Sequence, residues 1–480
     1  MTSAPSPARP LAYRSDYALL VGLTLATMVV LNAGVVCSND GANYSLVRAL
    51  GDGTTIIDDY RSYTFDIDYS MREGHYYSPR APGTAFFVLP FYVVAHLFTD
   101  HDPTLQFVSG LVPALFLAAL ACLTYWVVRR LGYSRSAGVF TALALCLGTP
   151  LRSYGSGMWS HGIAAFFSLA LVALAHEALA EDVTSARAPR YAAGLGFLAA
   201  MVVSLDYSGT VYATIALVIV VVAHARRSGV REAALRWALP MIGAGLAGMI
   251  PTLAYHTVAF GSPVRTGYDF VVGQYEVVHH MSGMYGGTFF EGFFGLLGHP
   301  RAGLFLWSPI LLAGMLALRG YLARLPATAN KLLFTLPALA MLVLTSRYTW
   351  WDGGGVHDVR FITQSLPLFA LPVAAAADAS ISGEGRRRPA AALGFSVLFA
   401  LSLLLQAVKH HAYWARNGEM WIPRFQAVGA DVGAVALRMA AWCWPHPIAA
   451  AAVLAVGLAL ALALRRLEAA PPSSPEAARA

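Results

Sequence analysis

The chain has 480 residues, of which 57% are hydrophobic and only 12% are charged, and its mean hydropathy is +0.57. Soluble domains carry about 25% charged residues, so this composition excludes an ordinary soluble domain. The net charge of +7 does not indicate a nucleic-acid partner, because the arginines are spread over short loops between apolar runs instead of forming one basic patch.

Long apolar runs recur along the whole chain and predict an all-α polytopic membrane protein with about 12 transmembrane helices, since a span needs about 20 apolar residues. In chain order the predicted spans are 17–37, 104–128, 136–151, 160–180, 190–205, 208–225, 236–259, 302–319, 331–346, 360–377, 390–408 and 446–464. The run 84–98 is not counted. It is only about 15 residues long and contains Pro90 and His96, which is typical of an interfacial helix.

The distribution of arginine sets the predicted orientation. If 84–98 lies at the interface, all the arginine-rich loops fall on the cytoplasmic side, as the positive-inside rule requires. These loops are 129–135, 181–190, 225–236, 319–331, 378–389 and 465–480. We therefore expect one multi-pass domain, 1–480, in the cell (inner or plasma) membrane with both termini in the cytoplasm.

Four polar segments then lie on the outer side, at 38–103, 260–301, 347–359 and 409–445. The first of them is expected to contain short amphipathic and interfacial helices. The tail 467–480 is rich in Ala, Pro and Ser, which predicts disorder.

Asp40 follows the first predicted span directly, in the run Ser38-Asn39-Asp40. A short amphipathic helix is predicted to follow, and its N-cap would be Asn39 or Asp40. A carboxylate fixed at the membrane–water boundary is also suited to act as a general base. The local pattern alone favours the capping role.

A series of carboxylates continues the first outer segment, with Asp58 and Asp59 followed by Asp66 and Asp68. Such a series is typical of a divalent-cation site or of a solvated loop face, and the sequence leaves both open. Arg80 lies just before the interfacial run, at the expected height of phosphate headgroups. An arginine there can form paired hydrogen bonds with a phosphate, or can reach ordinary lipid headgroups.

The third outer segment contains Trp350 and Trp351, which suit either the interfacial belt or a platform for sugar stacking. Arg360 opens an apolar helix on the outer side, where the positive-inside rule disfavours it. This predicts an anionic partner, either a protein carboxylate or a lipid phosphate. Asp206 and His161 lie at outer helix ends, and ionisable residues in such places are candidates for function.

Together these loops resemble the GT-C superfamily of membrane glycosyltransferases, above all the bacterial relatives of protein O-mannosyltransferases and aminoarabinose transferases. In that family an acidic residue follows the first helix in a pattern like Asp-Glu-Thr-Arg-Tyr, and Asp40 and Tyr44 keep its spacing here. The family's Gly-x-x-Tyr-x-x-Lys-Pro-Pro stretch is similar to the run 74–83, in which Arg80 replaces the lysine. Gly41 replaces the family's second acidic residue.

The resemblance implies that Asp40 is the catalytic base and that Arg80 and Arg360 hold the phosphate of a polyprenyl-phosphate sugar donor. Further substrate-binding candidates in the same segments are Tyr44, Asp58, Asp59, His75, Tyr77 and Trp351. No cofactor is certain. Because the second acidic residue is missing, a divalent metal stays an open alternative.

The predicted function is the inverting transfer of a sugar from that donor to a hydroxyl of a glycan, lipid or protein at the outer face. The alternative is a transporter or a lipid-linked sugar flippase without transferase activity. Such carriers place ionisable residues near the bilayer midplane and show internal repeats. Here the polar residues lie in loops and no repeat is seen, which favours the transferase.

Overall fold

The computed structural model describes residues 14–32, 34–180, 186–273, 284–300, 302–354, 358–382 and 388–414. Its α-helices are Arg14–Leu31, Ser38–Gly51, Gly83–His96, Asp102–Arg130, Arg135–Leu147, Leu151–Tyr154, Ser160–Ala178, Ala188–Leu205, Gly209–Ser228, Val230–Ala233, Leu239–Phe260, Phe289–Gly298, Leu304–Trp307, Ile310–Leu316, Leu318–Arg324, Thr328–Ser346, Leu366–Ala370, Val373–Ser382 and Arg388–Trp414. Shorter 3-10 segments are Asp58–Thr64, Gly267–Phe270 and Arg360–Ser365, and Ala234–Ala238 is a π-helical turn. Two antiparallel strands, Ser70–Arg72 and His75–Tyr77, form one hairpin.

Nine helices within the described residues are long and apolar enough to cross a membrane. They are Arg14–Leu31, Asp102–Arg130, Ser160–Ala178, Ala188–Leu205, Gly209–Ser228, Val230–Phe260, Thr328–Ser346, Arg360–Ile381 and Pro389–His410. The prediction of an all-α polytopic membrane protein is therefore confirmed, whereas the count of 12 spans is not.

The difference in count has three causes. The predicted span 136–151 forms a helix of only 13 residues, Arg135–Leu147. The predicted span 302–319 is broken into short helices next to Pro309, which has no backbone N–H to continue the helical hydrogen bonds. The predicted span 446–464 lies outside the described residues.

The ambiguous run 84–98 forms the helix Gly83–His96, whose 14 residues rise about 21 Å, less than the roughly 30 Å of a bilayer core. Arg80, before this helix, contacts Asn39, and Asp102, after it, accepts a hydrogen bond from Tyr44 at 2.8 Å. Both flanks therefore contact the same loop helix, Ser38–Gly51. The helix Gly83–His96 thus begins and ends at the same end of the bundle.

The described parts of the arginine-rich loops lie at one end of the bundle. Ion pairs fix them there, between Arg135 and Asp16 at 2.7 Å, between Arg130 and Glu177 at 2.7 Å, and between Arg324 and Asp378 at 3.0 Å. This grouping agrees with the predicted topology. Which side of the membrane this end faces stays a prediction.

The loop helix Ser38–Gly51 packs directly on the 3-10 segment Asp58–Thr64, and Gly41 allows this close contact. A Cβ atom at Gly41 would lie 1.7 Å from the carbonyl oxygen of Tyr63, a backbone atom that cannot turn aside. Packing therefore explains why no acidic side chain occupies position 41.

We expect Gly41→Ala to destabilise the protein by roughly 1–3 kcal/mol or more, because the methyl group overlaps a backbone oxygen. Thermal denaturation of the purified protein in detergent measures the effect. Gly22→Ala is the matched control, since no atom lies within 4 Å of a Cβ at Gly22. An unchanged denaturation midpoint for Gly41→Ala would contradict the packing described here.

Candidate active site

Asp40 closes the N-terminus of the loop helix. The helix begins at Ser38, and Asp40 is in its first turn, where Oδ1 accepts a hydrogen bond from the Cys37 N–H at 2.8 Å and Oδ2 accepts one from the Val36 N–H at 2.9 Å. The expected capping role is present, but the N-cap residue is Cys37 and not Asn39 or Asp40. Asp40 thus fixes the turn between the first span and the loop.

The side chain of Asp40 is fully buried, with 0% of its surface exposed. Burial raises the pKa of Asp40 to about 6, although hydrogen bonds from Val36, Cys37 and Gly41 act in the opposite direction. Gly157 lies across from the carboxylate, and a Cβ atom there would be 3.5 Å from Oδ2. A carboxyl group with a pKa near neutrality suits general-base catalysis near neutral pH.

Arg80 is built into the protein and does not extend to the surface. Its Nη2 forms an ion pair with Asp68, which is 1% exposed, and its Nη1 lies 3.4 Å from the hydroxyl of Tyr268. The side-chain amide of Asn39 lies 3.2, 3.2 and 3.1 Å from Nε, Nη1 and Nη2. Burial lowers the pKa of Arg80, but the charge of Asp68 and the contact with Tyr268 outweigh it and hold the pKa above its usual value.

Arg360 is arranged differently. Its guanidinium carbon lies 4.7 Å from the centre of the Phe361 ring, and its Nε is buried without a hydrogen-bond partner among the described residues. No carboxylate in the described part of the chain forms an ion pair with Arg360. The anionic partner expected from the sequence is therefore not a described carboxylate in direct contact, although the charge of Asp206 acts on Arg360 over a longer distance.

The charges of Arg80 and Arg360 act on a shared set of side chains. His161, Asp206 and Tyr348 each interact electrostatically with both guanidinium groups. Burial raises the pKa of Tyr348 to about 12 and also raises the pKa of Asp206, and the two arginines oppose both shifts. We call this arrangement of two arginines and three surrounding groups the two-arginine site.

Asp40 lies beside the two-arginine site. Its neighbour Asn39 contacts Arg80, and its capping partner Cys37 interacts electrostatically with Arg360. The same turn of chain therefore reaches both arginines and holds the buried carboxylate next to them. A base and a phosphate-binding cation can act on one substrate in such an arrangement.

Three of the other substrate-binding candidates have structural contacts. Tyr44 is fully buried and donates its hydrogen bond to Asp102. Tyr77 is buried and its ring lies 5.7 Å from that of Phe260. Trp351 is also buried. It packs so closely on the helix Phe289–Gly298 that a Cβ atom at Gly295 would lie 2.3 Å from its ring, so it does not offer a free face for sugar stacking.

The remaining candidates lie at the protein surface. Asp58 accepts hydrogen bonds from the Nδ1 of His75 at 2.8 Å and from the N–H of Tyr76 at 2.7 Å, and it fixes the strand hairpin to the preceding 3-10 segment. Asp59 is exposed. Neither carboxylate contacts Arg80 or Arg360, so the structure does not bring them into the two-arginine site.

Several members of the site could not be identified from sequence patterns. Asn39, Tyr268 and Tyr348 lie in three separate segments, and none of them belongs to a recognisable motif. The sequence indicates Asp206 only as an ionisable residue at a helix end. For Asn39, the one signal in the sequence is its position next to Asp40.

The described residues do not provide a metal site. No group of three or more His, Cys, Asp or Glu side chains in the described ranges is arranged to hold a metal ion. Both oxygens of Asp40 accept backbone hydrogen bonds, and Asp68 is paired with Arg80. No step of the chemistry is therefore assigned to a metal.

We expect Arg80→Gln to destabilise the protein by roughly 3–5 kcal/mol, because it leaves the buried carboxylate of Asp68 without its partner. The double variant Arg80→Gln/Asp68→Asn should recover most of that loss, since both charges are removed together. Denaturation of the two single variants and the double variant forms a double-mutant cycle. Additive losses would show that the two side chains are not coupled.

Comparison with known proteins supports the fold. No protein-family model matches the chain, and no curated protein sequence matches it. The solved structure of ArnT from Cupriavidus metallidurans bound to undecaprenyl phosphate matches with a TM-score of 0.59 and 15% identity, over 95% of this chain and 73% of that protein. The Archaeoglobus fulgidus oligosaccharyltransferase in the apo form matches with a TM-score of 0.53 and 11% identity, over 85% of this chain and 57% of that protein.

The archaeal oligosaccharyltransferase AglB, in complex with an inhibitory peptide and a dolichol-phosphate, matches with a TM-score of 0.51 and 12% identity, over 84% of this chain and 56% of that protein. These proteins are GT-C membrane glycosyltransferases. At such identities the likeness establishes the fold, and the resemblance noted from the loops is confirmed at that level.

Proposed function

We propose that this protein is a membrane glycosyltransferase that moves a sugar from a polyprenyl-phosphate donor to an acceptor hydroxyl. The observation on which the proposal rests is the guanidinium of Arg360, which forms no ion pair with a described carboxylate and interacts with the turn that holds the buried carboxylate of Asp40. Undecaprenyl phosphate and dolichol-phosphate, bound by two solved proteins of the same fold, support a lipid phosphate as the anion.

Arg360 is the phosphate ligand in this proposal. A planar guanidinium can donate two parallel hydrogen bonds to a phosphate. The phosphate gains negative charge as its bond to the sugar breaks, so a cation already in place stabilises the transition state more than the ground state. Arg80, whose charge Asp68 already balances, fixes the geometry of the site and contributes less net charge to the ligand.

Asp40 is the general base. It takes the proton of the acceptor hydroxyl, the acceptor oxygen bonds to the anomeric carbon, and the phosphate leaves with the electron pair of the broken bond. Attack from the side opposite to the phosphate inverts the configuration. Because Asp40 is covered, proton transfer needs one bridging water or a displacement of the turn 155–159, which contains Gly155 and Gly157.

We assign the two-arginine site to the outer face of the cell membrane. The described parts of the arginine-rich loops lie at the opposite end of the bundle, and the positive-inside rule places such loops in the cytoplasm. A lipid donor can then reach the site by lateral diffusion. The flippase alternative is less well supported, because the ion pairs among the described residues lie in loops or near helix ends and not at the bilayer midplane.

Sugar transfer should depend on pH through Asp40. The base works in its ionised form, so the rate should be constant well above pH 6 and fall about tenfold per pH unit below it, as the carboxyl group is protonated. The measurement is transfer of radiolabelled sugar from a polyprenyl-phosphate donor in purified membranes across this pH range.

Asp40→Asn should abolish that transfer at every pH, whereas a purely capping role would reduce stability and leave the pH profile unchanged. Denaturation of the same variant gives the stability control, because the loss of a cap costs about 0.5–2 kcal/mol. Full transfer activity in Asp40→Asn would overturn the assignment of the base.

Removal of the Arg360 guanidinium should weaken lipid-phosphate binding and lower the rate of sugar transfer. We expect Arg360→Ala to lower the transfer rate by about a hundredfold or more, and to weaken the binding of undecaprenyl phosphate, with little loss of stability, because no protein carboxylate is left unpaired. Arg347→Ala is the matched control, since Arg347 is an exposed arginine of the same loop. Equal effects of the two substitutions would argue against a specific phosphate contact.

A further inference from the structure

Lys409 forms a buried ion pair near the end of the last described helix, Arg388–Trp414. Its Nζ lies 3.2 Å from Oδ1 of Asp358, and the two residues are only 1% and 3% exposed. The ammonium group also lies 5.0 Å from the centre of the Trp307 ring. Lys409 belongs to the candidate span Pro389–His410, and an ionisable residue within a span is costly, which makes it a candidate for function.

The same helix fixes the aromatic neighbour of Lys409. Gln406, one turn earlier, donates hydrogen bonds from Nε2 to the carbonyl oxygen of Trp307 at 2.9 Å and to the hydroxyl of Ser308 at 3.2 Å. Gln406 and Ser308 are both fully buried. The ammonium group of Lys409 therefore contacts a ring that is held in place, as well as a carboxylate.

Asp358 connects the ion pair to the backbone that carries Arg360. Its Oδ1 accepts a hydrogen bond from the Val359 N–H at 2.6 Å, and Val359 is fully buried. Val359 is the N-cap of the 3-10 segment Arg360–Ser365, and its carbonyl oxygen accepts a hydrogen bond from the Ile362 N–H at 3.0 Å. Two residues of chain span at most about 7 Å, so the ion pair acts on the backbone within that distance of Arg360.

The ion pair lies beside the two-arginine site without being open to a ligand. Tyr154 interacts electrostatically with both Asp358 and Arg360. Lys409 is covered and paired, so it does not offer its charge to a phosphate. Its contribution to the site is therefore indirect, through Asp358.

We propose that Lys409 is a positioning residue, which holds the segment of Arg360 through Asp358 and so keeps the phosphate-binding guanidinium where it acts. The inference rests on the proposed function, and it adds the residue that fixes the phosphate ligand. Because Arg360 forms no ion pair with a described carboxylate, its position depends on the backbone that carries it. A displacement of about 1 Å can lower a rate about a hundredfold.

The first test needs no lipid donor. The variant Lys409→Met/Asp358→Asn removes both charges and keeps an oxygen for the Val359 N–H. Replacing both members of a buried ion pair is often neutral for stability, and denaturation of the purified protein checks that the variant folds. Hydrogen exchange of the segment 358–365, measured by mass spectrometry, should become about tenfold faster than in the wild type, because the segment opens more often.

Arg135→Met/Asp16→Asn is the matched control. It also removes an ion pair whose carboxylate is buried, but at the opposite end of the bundle. The exchange of 358–365 and the rate of sugar transfer should both stay unchanged in this control. An equal increase of exchange in the control would show a general loosening of the bundle and would overturn the positioning role.

Sugar transfer tests whether the fixed position matters for function. Lys409→Met/Asp358→Asn should lower transfer about tenfold when Arg360 is present. The same double substitution should cause little further loss in the Arg360→Ala variant, because the ion pair acts through Arg360. A merely structural role would lower transfer by the same factor in both backgrounds.

Faster exchange of 358–365, together with a loss of transfer only where Arg360 is present, would support the positioning role. Unchanged exchange, or equal losses in the two backgrounds, would overturn it and leave the proposed function intact. If the wild-type protein transfers no sugar from a polyprenyl-phosphate donor, the proposed function fails, and the positioning role fails with it.

Discussion

The candidate site depends on the two hydrogen bonds that the backbone of Val36 and Cys37 donates to Asp40. They join the end of the first membrane span to the loop helix and remove the carboxylate from solvent. Because Asn39 and Cys37 are part of the same turn, the cap also sets where the chain meets both arginines. Capping and the proposed catalytic role are therefore compatible in one side chain, since the interaction that orders the turn also positions the carboxylate.

The two arginines differ in their ion pairs. Arg80 is matched by Asp68 within a buried network, and its contribution is a fixed geometry. Arg360 has an aromatic neighbour but forms no ion pair with a carboxylate among the described residues. A guanidinium without an ion pair has its hydrogen-bond donors available for an anion such as a phosphate.

The bilayer explains where the described ion pairs lie. Charged groups are costly within the hydrocarbon core, so the described ion pairs lie at helix ends and in loops. Small residues within the core allow helices to approach closely, as at Gly196. An amphiphilic lipid has the same division between a charged head and an apolar chain.

The sequence by itself determined the features that depend on local pattern. Apolar run lengths predicted most of the spans, the arginine-rich loops predicted which ends of the bundle belong together, and the position of Asp40 predicted a helix cap. Each of these rests on interactions within a few residues or on the average cost of placing charge in lipid.

Only the tertiary structure decided the roles of the individual side chains. Tyr44 was a substrate-binding candidate but bonds to Asp102, and Trp351 was a stacking candidate but packs on Gly295. Arg80 pairs with Asp68, whereas Arg360 forms no ion pair with a described carboxylate. This difference depends on the packing of segments that are far apart in the chain. Such contacts form only when the helices pack, so no local pattern records which arginine forms a buried ion pair.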